Sequence, residues 1–397
     1  MKKITGWLQD YWQETVFVLI ALLVIVLSLW YRLATLNNGY TSGELQIHHL
    51  LLNHAYTFKY LWHNLVYAPY TLGLIIVQFF GGKGLLAIRS IACVIGLITS
   101  WMFFYIIWRW YGNLVAFLST AIFISSLWFL QSSRNGEAII LFSFGATFMI
   151  LVGMLSRARR WSSPKIILTA IISLSLLYIP GFVWFLVLGT VLQRNFIKTE
   201  WKALSQPVKV LLLLLVAAFL TPIVWMSISD YNLPTALLGL PSIYSFHGIL
   251  SRLTHFPLSL FIYNTQNNFF SLGHMPIINI FSDTMIVLGL YYVAAKIHLN
   301  RVKLLIAGVL LSWLLYAIGG AVPIYLVMPF WFCLIASGLS YLLKQWYTVF
   351  PFNPIARPIG VSLLCVAVAS VCFLQVNQYY IAWSHAPNTI ATYSHHH

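Results

Sequence analysis

The stretch PYTLGLIIVQFF, Pro69 to Phe80, decides how the rest of the chain is threaded. It is apolar, but about 12 residues of helix rise only ~18 Å, well short of the ~30 Å of hydrocarbon in a bilayer. It therefore reads as an amphipathic helix lying on the membrane surface, in line with its polar and aromatic flanks. With this segment kept out of the bilayer, basic residues fall consistently on one side of the membrane. Letting it cross would put Arg157, Arg159, Arg160 and Lys165 on the opposite face, against the usual bias.

Composition agrees. Of 397 residues, 60% are hydrophobic and 7% charged, whereas ordinary soluble domains carry about 25% charged residues. The net charge of +15 comes from lysines and arginines standing singly or in short clusters between apolar runs. That is the pattern of cytoplasmic loops and excludes a nucleic-acid-binding role. Cys93, Cys333, Cys365 and Cys372 all lie in apolar runs and read as small core residues.

Reading outward, Lys2 and Lys3 precede a first helix of about Val16–Leu36, which sets the amino terminus in the cytoplasm. Outer loop 37–84 follows, rich in aromatic residues that form an interfacial belt. Further helices are expected at about Leu85–Trp108, Leu114–Leu130, Ala138–Leu155, Ile166–Ile179, Phe182–Leu192 and Val210–Ile228, with a break at Pro180-Gly181. A second outer loop spans 231–275. Helices of about Ile277–Ala295, Leu304–Ile318, Tyr325–Leu343 and Ile359–Leu374 complete an all-α polytopic membrane protein of about 11 crossings. The chain divides into a module of residues 1–230, the loop 231–275 and a carboxyl-terminal set 276–394. His395, His396 and His397 read as a tag remnant.

This topology leaves few ionisable groups on the outer side: Arg32, Lys59, Lys83, Arg89, Arg134 and Arg252, with Glu44, Glu137, Asp230 and Asp283. Arg89 and Asp283 fall some turns inside their helices, where charge is costly and usually functional. Glu44, the one carboxylate of the first outer loop, sits in the first turn of a helix that Ser42 is placed to cap. It reads either as a partner of the helix dipole or as a catalytic group. His48, four residues on and on the same face, makes a Glu44/His48 pair for a divalent metal geometrically possible.

The stretch from Trp30 to Arg157 resembles bacterial members of the glycosyltransferase-C superfamily, nearest to protein-mannosyltransferase-like and aminoarabinose-transferase-like enzymes. Ser42-Gly43-Glu44-Leu45 stands where that family has an Asp-Glu pair after helix one, Gly43 replacing the first carboxylate. Ala68-Pro69-Tyr70 stands where a proline motif opens an amphipathic helix. FGGKGLLAIR, Phe80 to Arg89, resembles the family's phenylalanine-glycine and leucine-arginine signature. Trp110-Tyr111-Gly112-Asn113, the block from Ser132 through Arg134 to Glu137, and Tyr325 through Pro329 follow in order.

The resemblance implies transfer of a sugar from a polyprenyl-phosphate carrier to a lipid or cell-envelope acceptor, on the outer face of the inner membrane. It implies Glu44 as the base that takes the acceptor's proton, with Glu137 orienting Arg134 or assisting a metal. Arg134, Arg89 and Lys83, with Arg252, would then stand beside the departing phosphate. A catalytically inactive scaffold subunit and a lipid or sugar transporter are the competing readings.

Overall fold

The computed structural model describes residues 23, 25–33, 39–156, 161–241, 246–262, 275–319 and 322–393. Lys2, Lys3, the first half of the expected first helix, Arg157, Arg159, Arg160, part of the second outer loop and the terminal histidines lie outside the described residues. The described chain is helical throughout, with no strand among the described residues. After a helical stretch at 25–30 come α1 (Ser42–Leu52), α2 (Phe58–His63), α3 (Ala68–Phe79), α4 (Leu85–Tyr111), α5 (Asn113–Ser125), α6 (Leu127–Arg134) and α7 (Ile140–Leu155). Next are α8 (Ser163–Ser175), α9 (Phe182–Leu192), α10 (Arg194–Ala203), α11 (Gln206–Ser229), α12 (Asn232–Leu238) and α13 (Phe246–Phe261). The series ends with α14 (Ile280–Ala294), α15 (Asn300–Ile318), α16 (Met328–Val349), α17 (Ala356–Asn377) and α18 (Pro387–Thr392).

Among the described residues, five helices, α4, α11, α15, α16 and α17, are each long and apolar enough to cross a membrane. A sixth span arises if α5 and α6 count as one. Where the sequence predicts a single helix over Leu114–Leu130, the chain breaks at Ser126, and α6 leaves α5 at 65°. Ser125 and Ser126 donate back to the carbonyls of Ile122 and Phe123, giving the backbone an alternative to helical bonding there. This bend turns Arg134 and the loop after it across the end of the bundle. The expected break at Pro180-Gly181 is present, with Gly181 left-handed at φ 79°. The second outer loop, expected as a loop, carries α12 and α13.

The centre is α16, almost wholly buried, while α11 and α17 present most of their surface outward. Apolar side chains gain nothing from helix contact within lipid, so close backbone approach must supply the packing. At the α14–α16 crossing, a Cβ on Gly289 would strike the Leu334 carbonyl, and one on Gly338 the Met285 carbonyl. Helices α1 and α3 both pack against α4, and α2 packs on α3. The helical pieces of loop 37–84 thus form a shelf over one end of the bundle.

Candidate functional site

That shelf begins with a helix cap. Thr41, not Ser42, is the N-cap of α1: its hydroxyl accepts from the Glu44 N–H at 3.0 Å, and the Glu44 carboxylate accepts from the Thr41 N–H at 3.1 Å. This reciprocal capping box fixes the start of the helix and directs Glu44 inward, where it is fully buried. Its carboxylate meets Arg89, reaching up from α4, in a two-pronged ion pair. Nε donates to Oε1 at 2.8 Å and Nη2 donates to Oε2 at 3.0 Å. The Gly136 N–H, from the loop after α6, donates to Oε1 at 2.8 Å and is the fourth donor to the carboxylate. Arg89 also donates to the carbonyls of Leu33 and Gly39. Three separate segments are pinned on one buried ion pair.

The same geometry bears on the roles expected from the sequence. With both oxygens of Glu44 accepting from a guanidinium and two backbone amides, the carboxylate has no open side for an acceptor proton. Glu44 faces a cation already, and His48 turns its Nδ1 to the Lys83 carbonyl at 2.7 Å. Among the described residues, no group of three or more His, Cys, Asp or Glu comes together as a metal site.

Glu137 is placed differently. It is only partly buried, and its Oε1 accepts from the Thr41 hydroxyl at 2.8 Å. Thr41 therefore links the two carboxylates, accepting from the backbone of one and donating to the side chain of the other. Burial raises the pKa of Glu137 above the ordinary carboxylate value, opposed by the Thr41 hydrogen bond and reinforced by the charge of Glu44. Gly43 lies directly beside it: a Cβ built there would fall 2.6 Å from Glu137 Oε1. The carboxylate of Glu137 thus fills the space in front of residue 43.

Tyrosines surround this group. Tyr67, Tyr70, Tyr325 and Tyr393 all lie within electrostatic reach of Glu137. Tyr67 sits at a left-handed φ of 61°, a strained conformation for a non-glycine residue. Its N–H is held by the Tyr178 carbonyl at 2.8 Å. Its hydroxyl is pushed up to about 12, by burial first and the charge of Glu137 second. The buried Tyr70 hydroxyl and the Gln131 Nε2 have no hydrogen-bond partner among the described residues, while the Gln131 Oε1 accepts from the Tyr325 hydroxyl.

Arg134 is buried at the end of α6, 4% exposed, but Glu137 does not orient it. Its Nη1 donates to the carbonyls of Ser28 and Leu29 and to the Tyr380 hydroxyl, the last at 2.6 Å. The rings of Tyr379 and Tyr380 lie against the guanidinium, 5.5 and 5.1 Å from it. Its Nε has no partner among the described residues. Tyr379 and Tyr380 come from a π-helical turn, Gln378–Trp383, that extends α17; such turns are frequent at functional sites. Tyr393, beyond α18, lies against Arg89 at 5.6 Å. The carboxyl-terminal segment thus packs aromatic rings on both site arginines, which the sequence does not signal. The Thr41-x-x-Glu44 spacing, by contrast, is a legible capping box.

The other expected residues divide. Lys83 flanks the cluster as an exposed side chain on the α3–α4 turn. Arg252, on α13, donates to the Ile318 carbonyl at the end of α15 and makes no hydrogen bond to the Glu44–Glu137 cluster. Asp283 lies in the first turn of α14, and its Oδ1 has no hydrogen-bond partner among the described residues. Cys93 and Cys333 are buried and unpaired as expected, while Cys365 and Cys372 are partly buried.

No protein-family model matches the chain, and no curated protein sequence matches it either. Two solved structures do. The crystal structure of ArnT from Cupriavidus metallidurans bound to undecaprenyl phosphate aligns over 96% of this chain and 77% of its own, with a TM-score of 0.53 at 10% identity. The apo form of the same protein aligns over 98% and 77%, with a TM-score of 0.49 at 12% identity. The chain therefore has a fold similar to that of ArnT.

Proposed function

We propose that this chain is a membrane glycosyltransferase that moves a sugar from a polyprenyl-phosphate carrier to a hydroxyl-bearing acceptor. The observation that carries the reading is the pairing of two carboxylates in different states at one end of a glycosyltransferase-C-like fold. Glu44 is spent on Arg89 and holds the site together. Glu137 is accessible, linked through Thr41, and free on one side to accept a proton.

Glu137 then takes the base role that the sequence suggests for Glu44. The acceptor O–H bond breaks with its proton passing to Glu137. The acceptor oxygen forms a bond to the anomeric carbon, and the bond from that carbon to the phosphate oxygen breaks. The electron pair leaves with the polyprenyl phosphate. A base of raised pKa, nearer the working pH, suits this transfer. Arg134, with a donor left over and its plane held by two tyrosine rings, is the cation for the charge that builds on the leaving phosphate. Undecaprenyl phosphate bound to the structural neighbour ArnT supports a carrier of that class.

Finer parts of the reading are proposed with it. These are about eleven crossings, an amino terminus in the cytoplasm, a site facing the outer side of the inner membrane, and a lipid or cell-envelope acceptor. With Glu44 engaged by Arg89, transfer is proposed to proceed through Glu137 and Arg134.

The test uses the purified chain in lipid nanodiscs with polyprenyl-phosphate-linked sugars, following release of free polyprenyl phosphate by mass spectrometry. Wild type releases it only when acceptor is present, and Glu137→Gln falls to background while remaining folded. Full release by Glu137→Gln refutes the assignment of the base. Carrier binding without release from any donor by wild type supports a scaffold subunit instead.

A further inference from the structure

At the far end of α4 from Arg89, three cations converge on two tyrosines. Arg89 and Tyr111 stand about 22 residues apart on this helix, a rise of ~33 Å at 1.5 Å per residue, roughly the thickness of the hydrocarbon core. Tyr111 is tied to α16 by a 2.8 Å hydrogen bond between its hydroxyl and Ser337 Oγ. Its ring meets that of the buried Tyr292, from α14, at 6.4 Å. The Arg301 guanidinium, from the first turn of α15, lies over Tyr111 at 5.3 Å. The Lys296 and Lys344 ammonium groups both lie over Tyr292, at 4.7 and 5.5 Å. Arg301 also walls a hollow of about 260 Å³ with Trp110, Met154 and Leu299. The one hydrogen bond of its guanidinium among the described residues runs from Nη1 to the Trp110 carbonyl at 3.3 Å. No carboxylate stands within ion-pair distance of the three cations; the Arg89–Glu44 contact is the only such pair among the described residues.

Positive charge on one side of a membrane is ordinary, but gathering three cations around one pair of rings is costly where no carboxylate answers them. The tyrosine faces offset part of the repulsion, and a bound anion offsets the rest. We propose that this end of the bundle is a second binding site, for the phosphate of an anionic phospholipid in the leaflet opposite the Glu44–Glu137 cluster. The phosphate enters the hollow against the unspent donors of Arg301, in the field of Lys296 and Lys344. A planar guanidinium suits two phosphate oxygens at once, and basic pockets between membrane helices take such head groups. The walls select a lipid over free phosphate: Trp110, Met154 and Leu299 offer apolar surface beside the guanidinium, where the glycerol and first methylenes of a lipid lie. A zwitterionic head group brings a cation of its own and is disfavoured among three others. The bound lipid clamps α4, α14, α15 and α16 at this end, as the Glu44–Arg89 pair pins segments at the other. The site stands independently of the transferase reading.

Native mass spectrometry of the full chain in detergent, titrated with phosphatidylglycerol or phosphatidylcholine of matched acyl chains, tests the site. Wild type should bind phosphatidylglycerol about tenfold more tightly than phosphatidylcholine. Arg301→Gln should remove that preference. So should the double variant Lys296→Gln/Lys344→Gln, whose side chains are partly or fully exposed and which decides the matter if Arg301→Gln does not fold. Lys303→Gln, exposed on α15 just beyond Arg301, carries the same loss of charge and should keep the preference. Equal affinities for the two lipids in wild type overturn the site. A loss in Lys303→Gln as large as that in Arg301→Gln also overturns it, because the preference then belongs to the overall charge. Inorganic phosphate separates the two sources. If it displaces phosphatidylglycerol where chloride at the same ionic strength does not, the lipid assignment falls in favour of a free phosphate; displacement by neither supports the lipid.

Discussion

Replacing Glu44 by Gln separates holding the site together from doing its chemistry. The carboxylate accepts four hydrogen bonds: two from Arg89 and one each from the Thr41 and Gly136 N–H groups. A carboxamide keeps one acceptor oxygen and turns an NH2 toward the other pair of donors. Whichever way it is placed, two donors face it without an acceptor, and one belongs to a guanidinium only 2% exposed. Removing one partner of a buried ion pair costs about 3–5 kcal/mol. Counting two lost charge-assisted bonds at roughly 1.5–3 kcal/mol each gives the same range. A loss of ~4 kcal/mol is close to a thousandfold in the folding equilibrium, a large share of the 5–15 kcal/mol typical of a domain. Thermal unfolding followed by size-exclusion chromatography in detergent reads it directly. Arg89→Met alone should destabilise comparably, and the double variant Glu44→Gln/Arg89→Met should cost less than the sum, since neither charge is then stranded. An unfolding midpoint equal to wild type in Glu44→Gln, coupled with loss of transfer, would refute the structural role and return Glu44 to the chemistry.

The remaining predictions concern the groups around it. Glu137→Gln should lower turnover by about 10²–10⁴-fold, the range ascribed to one general base, while the variant still folds; nanodisc turnover and thermal unfolding together check this. Since burial raises the pKa of Glu137, kcat/KM should fall as pH drops through that raised value, because the protonated form accepts nothing. The stability effect has the opposite sign. A carboxylate raised in the folded state favours folding at low pH, and that contribution is lost as pH climbs from the unfolded value through the folded one. Both dependences should be missing in Glu137→Gln. Gly43→Ala places a methyl 2.6 Å from Glu137 Oε1 and should reduce turnover by displacing that carboxylate, visible as a kcat loss with donor affinity kept. Arg134→Ala should weaken polyprenyl-phosphate binding by about tenfold or more, the loss of one charge-assisted contact, measured by binding in detergent.

Much of this arrangement was legible in the residues. Scarce charges in an apolar chain mark their own importance, and Glu44, Arg89 and Glu137 do converge through Thr41 and Gly136. Helix positions followed from hydropathy: α9 spans Phe182–Leu192 as expected, and the break at Gly181 follows from its proline and glycine. The bend at Ser126 was hidden, because serine hydroxyls that bond back to the helix leave apolar periodicity unchanged. The partner of Arg134 was also hidden. Only two residues separate it from Glu137, yet α6 ends between them and the two side chains diverge. The rings of Tyr379, Tyr380 and Tyr393 come from more than two hundred residues away, and their spacing reads as an ordinary interfacial belt.

The division of labour between the two carboxylates turns on a side chain that is absent. At position 43 a carboxylate would stand beside Glu44 on the same turn of α1, and both would be supplied by one short motif. Glycine there leaves a gap, and the bent end of α6 brings Glu137 into it from the far side of Arg89. The acidic group is then anchored through Thr41, whose hydroxyl also caps the helix that holds Glu44. Under the proposed transfer, position along the chain points to Glu44 as the base, whereas the donors each carboxylate already satisfies point to Glu137. Four donors saturate Glu44, whereas Glu137, held by neutral side chains, keeps the capacity that the proposed transfer requires.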